Sequence, residues 1–168
     1  MMQALEAGGI PPIINPKRDE LMAKRSQHNP RGWYEVTVEE MTAPQRLRFL
    51  VVDGHALKLP TVYLRNLPIV ETTVIWIHRD PHEIGESLRR TFPDHDMTRR
   101  FSPELYEATT KGMRELVEDR RSVKRIVDVQ HRDLMRDAMG TMAALGLPID
   151  VTSAANAIAP ELQTVRAA

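Results

Sequence analysis

The most informative pattern of apolar and polar positions covers residues 73–90, where a short apolar run is followed by a helix-like repeat. Residues 74–77, Val-Ile-Trp-Ile, are all apolar and rich in β-branched and aromatic side chains, which is typical of a strand covered on both faces in a parallel sheet. Further on, Ile84, Leu88 and Phe92 recur every four residues, as they would on the buried stripe of a helix. The pattern therefore predicts a buried strand followed by a helix.

The residues between this strand and this helix predict a sharp helix start. Asp80 suits the N-cap, Pro81 the first helical position, and Glu83 the closing position of a capping box. Arg79 is left at the carboxyl end of the strand, where open α/β sheets bind their ligands. Ser87 falls at the edge of the buried helical stripe by the 3.6-residue period. A guanidinium and a hydroxyl so placed could hold one phosphate group between them.

Two further segments have the pattern of short strands. Residues 56–59 form an apolar-polar segment that ends at a proline, and residues 124–129 alternate enough to lie near a sheet edge. Helix-like segments separate the strands, and strands that alternate with helices imply βαβ units and a mostly parallel sheet. We therefore predict a single α/β domain over residues 1–168.

The helix-like segments differ in character. Residues 103–121 predict an amphipathic helix with Leu105 among its core contacts, and residues 133–145 predict one helix that ends before Gly146. Residues 93–100 are mostly charged and predict a loop.

Composition restricts the classes of protein to consider. The 168 residues carry 23 Lys and Arg against 23 Asp and Glu, so no net charge attracts nucleic acid or a membrane surface. Any anion site must therefore be local. The absence of Cys excludes disulfides, Cys-ligated zinc and thiol catalysis. No apolar run approaches the roughly 20 residues of a membrane span, and no signal-peptide pattern is present, so a cytoplasmic protein is expected.

Three stretches of the sequence together resemble the sulfotransferase family, whose members use 3'-phosphoadenosine 5'-phosphosulfate (PAPS). In that family a hydrophobic strand ends in Arg, a Pro follows shortly, and a Ser stands eight residues after the Arg; here these are Arg79, Pro81 and Ser87. Residues 29–35, Asn-Pro-Arg-Gly-Trp-Tyr-Glu, are similar to a segment common in bacterial members. Residues 133–150 are similar to a closing pattern of Asp-Leu, a helix and Leu-Gly-Leu-Pro.

This resemblance implies a three-layer α/β fold like that of P-loop NTPases and the transfer of a sulfuryl group from PAPS to a hydroxyl or amine. The acceptor would be a small molecule or a glycan, and no metal is implied. Arg79 and Ser87 would hold the 3'-phosphate of PAPS. By the same resemblance, Glu35 is the candidate catalytic base. Lys58 would reach the bridging oxygen if its short strand lies beside the central one.

One element that the resemblance leads us to expect has no counterpart in the sequence. The family binds the 5'-phosphosulfate with a Pro-x-Ser-Gly-Thr-Thr type loop, whose backbone amides cradle the anion. Residues 1–7 are strong helix formers that stop at Gly8 and Gly9, and they resemble the helix that follows this loop. We therefore expect a chain that lacks the first strand and the P-loop of the fold.

Structural alternatives remain open for each candidate residue. Glu35 could cap a helix that starts near residue 37, and Lys58 could be a solvated lysine at a strand end. Arg79 could pair with a carboxylate of the helix start, Asp80 or Glu83. Ser87 could simply be a small residue that packs against a neighbour.

The function of the whole protein also has alternatives. A non-catalytic relic or structural protein would keep the fold without binding PAPS. A nucleotide kinase of related architecture is a weaker alternative, because the sequence lacks a Gly-Lys-Ser/Thr loop.

Overall fold

The structure is a computed structural model that describes residues 1–15, 36, 38–43, 52–67 and 69–158. In these residues the chain alternates helices with two strands, in the order α1 (Met2–Ala7), α2 (Val38–Thr42), a 3-10 helix (Thr61–Asn66), β1 (Thr72–His78), α3 (Pro81–Thr91), α4 (Asp96–Arg100), α5 (Pro103–Glu118), β2 (Val123–Gln130), α6 (His131–Arg136), α7 (Ala138–Ala144) and α8 (Val151–Asn156). None of the described helices has the length and apolar character needed to cross a bilayer.

The two strands form a small parallel sheet, which confirms the predicted α/β class and both of these strands. Thr73 pairs with Arg125, and the register continues without interruption to the pair of His78 and Gln130. Because parallel strands need a long crossover, the segment between them has room for α3, α4 and α5.

The predicted strand at residues 56–59 is wrong beyond its first residue. Ala56 makes a single parallel bridge with Pro12, in which the amide of Ala56 donates to Pro11 and its carbonyl accepts from Ile13. A longer ladder is hindered because proline has no N–H to donate, and Pro60 soon follows. Within the described residues, β1 is hydrogen-bonded to β2 and not to this segment.

Helices cover both faces of the sheet. Val74 and Trp76 point to one face, where they pack with Val117 of α5. The alternate positions point to the other face, where Ile75 and Val129 belong to a second cluster built from α1, α6, α7 and α8. The sheet is therefore the middle layer of the described part of the chain.

Two of the predicted buried positions are exposed. Ile77 is 39% exposed, so β1 is not covered along its whole length on both faces. Leu105 is 61% exposed, since it lies in the first turn of α5, whereas the helix meets the sheet near its other end at Val117.

The amino end of α3 is capped largely as predicted. The Asp80 carboxylate accepts a hydrogen bond from the amide of His82 at 2.8 Å, and Pro81 occupies the first turn. The predicted capping box is wrong, because the Glu83 carboxylate turns back to accept from Arg79 instead.

Two predicted boundaries are also wrong. Residues 93–100 are not wholly a loop, because α4 forms where Asp96 and Arg100 make an ion pair one turn apart. Residues 133–145 are not one helix, because Asp137 leaves helical geometry at φ −139° and ψ 77°. Its carboxylate then accepts from the amide of Gly140 at 2.8 Å and caps α7.

The helix α1 ends at two glycines and packs on α8. Gly9 has a φ of 99°, the left-handed conformation that the sequence predicts there. The carbonyl of Gly8 accepts from the amide of Asp150 at 2.9 Å, and a Cβ on Gly8 would lie 3.2 Å from that of Ala154. This contact sets α1 against the same cluster that covers one face of the sheet.

Two helical glycines provide a matched test of the packing between α3 and the segment that follows it. A Cβ at Gly85 would lie 3.0 Å from the Phe101 ring, whereas a Cβ at Gly112 would meet nothing within 4 Å. Gly112→Ala should raise the free energy of unfolding by about 1 kcal/mol through helix propensity. Gly85→Ala should be no more stable than the wild type, because overpacking costs about 1–3 kcal/mol.

Urea unfolding of the two variants, monitored by circular dichroism, would measure this difference. An equal stabilisation by both substitutions would contradict the close packing of Phe101 on Gly85.

Candidate functional site

The candidate site lies at the carboxyl ends of the two parallel strands. His78 and Gln130 are the last register partners, so Arg79 and His131 are the next residues of their strands. Neighbouring strands are about 4.8 Å apart, and the two residues therefore leave the sheet side by side. This is the edge at which parallel α/β sheets bind ligands.

Arg79 contacts the first turn of α3. Its Nε donates a hydrogen bond to the Glu83 carboxylate at 3.4 Å, and the Arg79 side chain is 25% exposed. The pairing with Glu83 that the sequence left open is thus present. This hydrogen bond uses one of the five N–H donors of the guanidinium, so it does not by itself use all the donors of Arg79.

Ser87 lies on the same face of α3 as Glu83. The two residues are one helical turn apart, which places their Cβ atoms about 5–6 Å from each other. Ser87 is partly buried and Arg79 contacts Glu83. Arg79 thus contacts the residue one helical turn before Ser87, and the binding of one phosphate by Arg79 and Ser87 together stays a prediction.

His131 is a site residue that the sequence analysis missed. It is the first residue of α6 and is partly buried. Burial lowers the pKa of its imidazole, and so do the cations of Arg79 and the Met1 amino group, while the Glu83 carboxylate opposes them. The sequence contained a signal for His131, because a parallel partner strand near residues 124–129 must end at the same edge of the sheet as β1.

Lys58 approaches this region from the segment after the Pro12 and Ala56 bridge. It lies near the amino end of α1, since the pKa of the Met1 amino group is lowered first by burial and then by Lys58. The condition on which its predicted role depended is not met, because in the described residues its segment does not pair with β1. Its role at a bridging oxygen stays a prediction.

The candidate base Glu35 lies outside the described residues. Among the residues that are described, no three His, Asp or Glu side chains are grouped so that they could hold a metal ion.

A second polar group lies on the opposite face of the sheet, beneath α5. Asp128 accepts two hydrogen bonds from Arg114, at 2.7 and 3.0 Å, and a third from the His78 imidazole at 2.7 Å. Arg114 also donates to Glu118 at 2.6 Å and lies 5.3 Å from the centre of the Trp76 ring. These side chains satisfy one another, so the group ties α5 to both strands.

The charges of this group shift two pKa values, and each shift favours the charged form. Hydrogen bonds from Arg114, and secondarily from His78, hold the pKa of Asp128 below its ordinary value. The hydrogen bond to Asp128, and secondarily the one to Glu118, raises the pKa of Arg114. Both groups are therefore charged throughout the neutral range.

Comparison with known proteins gives one result. A family model described as the sulfotransferase family matches residues 67–151, just over half of the chain. The matched region contains both strands and the residues Arg79, Ser87 and His131, and it leaves out Lys58 and Glu35. It confirms the resemblance read from the sequence. No curated protein and no solved structure matches the chain.

The Asp128 group predicts a change in acid stability. Asp128→Asn should lower the free energy of unfolding at pH 7 by about 1 kcal/mol, a modest value because the Asp128 side chain is 48% exposed. The folded-state pKa is depressed, so this contribution is present above the unfolded value of about 3.9 and is lost as the pH falls through the folded value.

Urea unfolding between pH 3 and pH 7 would measure the effect. The difference between the wild type and Asp128→Asn should shrink as the pH falls below about 4. Asp94→Asn is the matched control, since Asp94 is 95% exposed and lies 3.8 Å from Arg99. A loss for Asp94→Asn as large as that for Asp128→Asn would contradict the assignment.

Proposed function

This chain belongs to the sulfotransferase family, and we therefore propose that it transfers a sulfuryl group from PAPS to a hydroxyl or amine acceptor. The acceptor is a small molecule or a glycan. The products are the sulfated acceptor and adenosine 3',5'-bisphosphate. The observation that carries the proposal is the position of Arg79 at the carboxyl end of β1, in contact with the helix α3 that carries Ser87.

The donor set of this site fits the 3'-phosphate. A guanidinium binds phosphate oxygens with several N–H groups in a fixed planar arrangement, and a serine hydroxyl can donate one more hydrogen bond. Arg79 is one-quarter exposed, so it is accessible to a ligand and partly shielded from water. Both residues lie within the region that matches the family.

The Glu83 carboxylate must share Arg79 with the ligand or leave it. A phosphate monoester carries between one and a half and two negative charges near neutral pH, whereas a carboxylate carries one. The Glu83 side chain is 35% exposed, so it can turn to solvent at small cost. The ligand therefore replaces a weaker anion on the same cation.

We propose the three-layer fold of P-loop NTPases for this domain. A parallel pair of strands with helices on both faces supports it, and so does a ligand edge at the carboxyl ends of the strands. The described residues themselves show the mixed α/β class.

The transfer step needs a base and a cation in addition to the phosphate site. An acceptor oxygen or nitrogen forms a bond to sulfur while the bond from sulfur to the bridging phosphate oxygen breaks, and the acceptor's proton passes to the base. Glu35 is the proposed base. Lys58 is the proposed cation that stabilises the charge on the bridging oxygen, and its place near the amino end of α1 is compatible with that role.

A second candidate is a domain that keeps this fold without binding PAPS. The pairing of Arg79 with Glu83 favours it, because an internal carboxylate already neutralises the cation that a phosphate would need.

Thermal unfolding with adenosine 3',5'-bisphosphate distinguishes the two candidates. At ten times its dissociation constant, the nucleotide should stabilise the wild-type chain by about 1.4 kcal/mol, which for a domain of this size is a Tm increase of about 3–6 °C. Adenosine 5'-monophosphate, which lacks the 3'-phosphate, should have a smaller effect. A Tm that stays constant up to millimolar nucleotide would favour the second candidate.

Variants of the site test the residues. Arg79→Ala should abolish the shift, and Ser87→Ala should reduce it, because each removes donors to the 3'-phosphate. Arg121→Ala is the matched control, since this exposed arginine lies just before β2, at the opposite end of the sheet. A loss in Arg121→Ala equal to that in Arg79→Ala would show a general charge effect and not a local site.

A further inference from the structure

We propose that His131 contacts the bound 3'-phosphate beside Arg79 and takes up a proton when the phosphate binds. This inference rests on the proposed function, because it concerns the same site. It adds a residue that the sequence pattern does not single out and a dependence of affinity on pH.

The strand register places His131 at the site. His78 and Gln130 are partners, and the next residues, Arg79 and His131, start the connections to α3 and α6. The last pair of the ladder holds residues 78 and 130 together, so the two connections start from neighbouring positions. The position of His131 therefore follows from the sheet itself.

His131 also lies on the correct face. Val129, two residues earlier, points into the cluster formed by α1 and α6 to α8, and Ile75 does the same on β1. His131 follows Val129 by two residues as the chain enters α6, and Arg79 follows Ile77 by two residues just after β1. The imidazole is indeed close enough to Arg79, to Glu83 and to the Met1 amino group for their charges to act on it.

The charges that face His131 from the neighbouring elements are two cations and one carboxylate. Arg79 follows β1, the Met1 amino group starts α1, and Glu83 lies on α3. On its own helix, Arg132 is exposed and Asp133 accepts from Arg136 at 2.9 Å. Burial and the two cations lower the pKa of His131, so the free imidazole is neutral at pH 7.

A bound phosphate reverses this balance. Its negative charge offsets the repulsion from Arg79 and accepts a hydrogen bond from the imidazolium, and both effects favour the protonated ring. Because the pKa of His131 is higher in the complex than in the free chain, affinity increases as the pH falls between these two values. The increase cannot exceed about tenfold per pH unit, the limit for one proton.

The experiment is isothermal titration calorimetry of adenosine 3',5'-bisphosphate with the full chain between pH 6 and pH 8. Two buffers with different ionisation enthalpies report the number of protons taken up. On binding, the wild type should take up more protons than His131→Gln. Its affinity should also increase more as the pH falls. The phosphate itself titrates near pH 6, but this contribution is common to both proteins, so their difference isolates His131.

Two further variants separate this inference from the proposed function. His55→Gln is the matched control, because His55 is exposed and contacts the carbonyl of Asp53; it should keep the wild-type pH dependence. Arg79→Ala reports the site itself. If Arg79→Ala abolishes binding while His131→Gln keeps the wild-type proton uptake, the role of His131 is refuted and the proposed function stands. If the wild type does not bind at millimolar nucleotide, both are refuted.

A measurement on the wild type alone keeps the inference testable if His131→Gln does not fold. The pKa of the His131 ring, followed by NMR of the labelled imidazole, should rise when adenosine 3',5'-bisphosphate is added, and the His55 ring should not respond. An unchanged His131 pKa at saturating nucleotide would overturn the proposal.

Discussion

The hydrogen-bonded register between β1 and β2 determines where Arg79 and His131 lie relative to each other. A slip by one residue would turn each side chain to the other face of the sheet. Trp76 and Asp128 are register partners, and Arg114 of α5 contacts both, with its guanidinium 5.3 Å from the Trp76 ring and two hydrogen bonds to Asp128. One side chain on the α5 face thus holds the alignment that brings Arg79 and His131 together on the other face.

The pairing of Arg79 with Glu83 has a consequence for how the site behaves without a ligand. A partly buried guanidinium that lacks an anion is costly, and Glu83 supplies one within the same short segment. Because Ser87 follows Glu83 by one helical turn, the helix α3 carries both the carboxylate that pairs with Arg79 and the hydroxyl that is proposed to bind a phosphate with it. If a phosphate binds Arg79 as proposed, it competes with the Glu83 carboxylate, and the strength of the Arg79–Glu83 pair limits its affinity.

The sequence was sufficient where the structure is local. The strand at residues 74–77, the cap at Asp80 and the position of Arg79 follow from neighbouring residues, and the structure confirms them. It was insufficient where distant segments meet. His131 is far from Arg79 in the chain and becomes a neighbour only through the strand register, and the exposure of Leu105 depends on which part of α5 meets the sheet. The break at Asp137 was missed because the spacing of apolar residues does not distinguish an aspartate that caps a new helix from one inside a longer helix.

The two faces of the sheet carry different sets of charged groups. On the α5 face, Arg114 and Asp128 neutralise each other directly, so a ligand would gain little there. On the face covered by α1, the charges of Arg79 and of the Met1 amino group act on His131, and Lys58 acts on the Met1 amino group. Glu83 is the carboxylate whose charge acts on His131. Bringing basic groups together lowers stability unless an anion lies among them. At this edge Glu83 supplies a carboxylate through its bond to Arg79, and the proposed 3'-phosphate would bring a larger negative charge to the same cation.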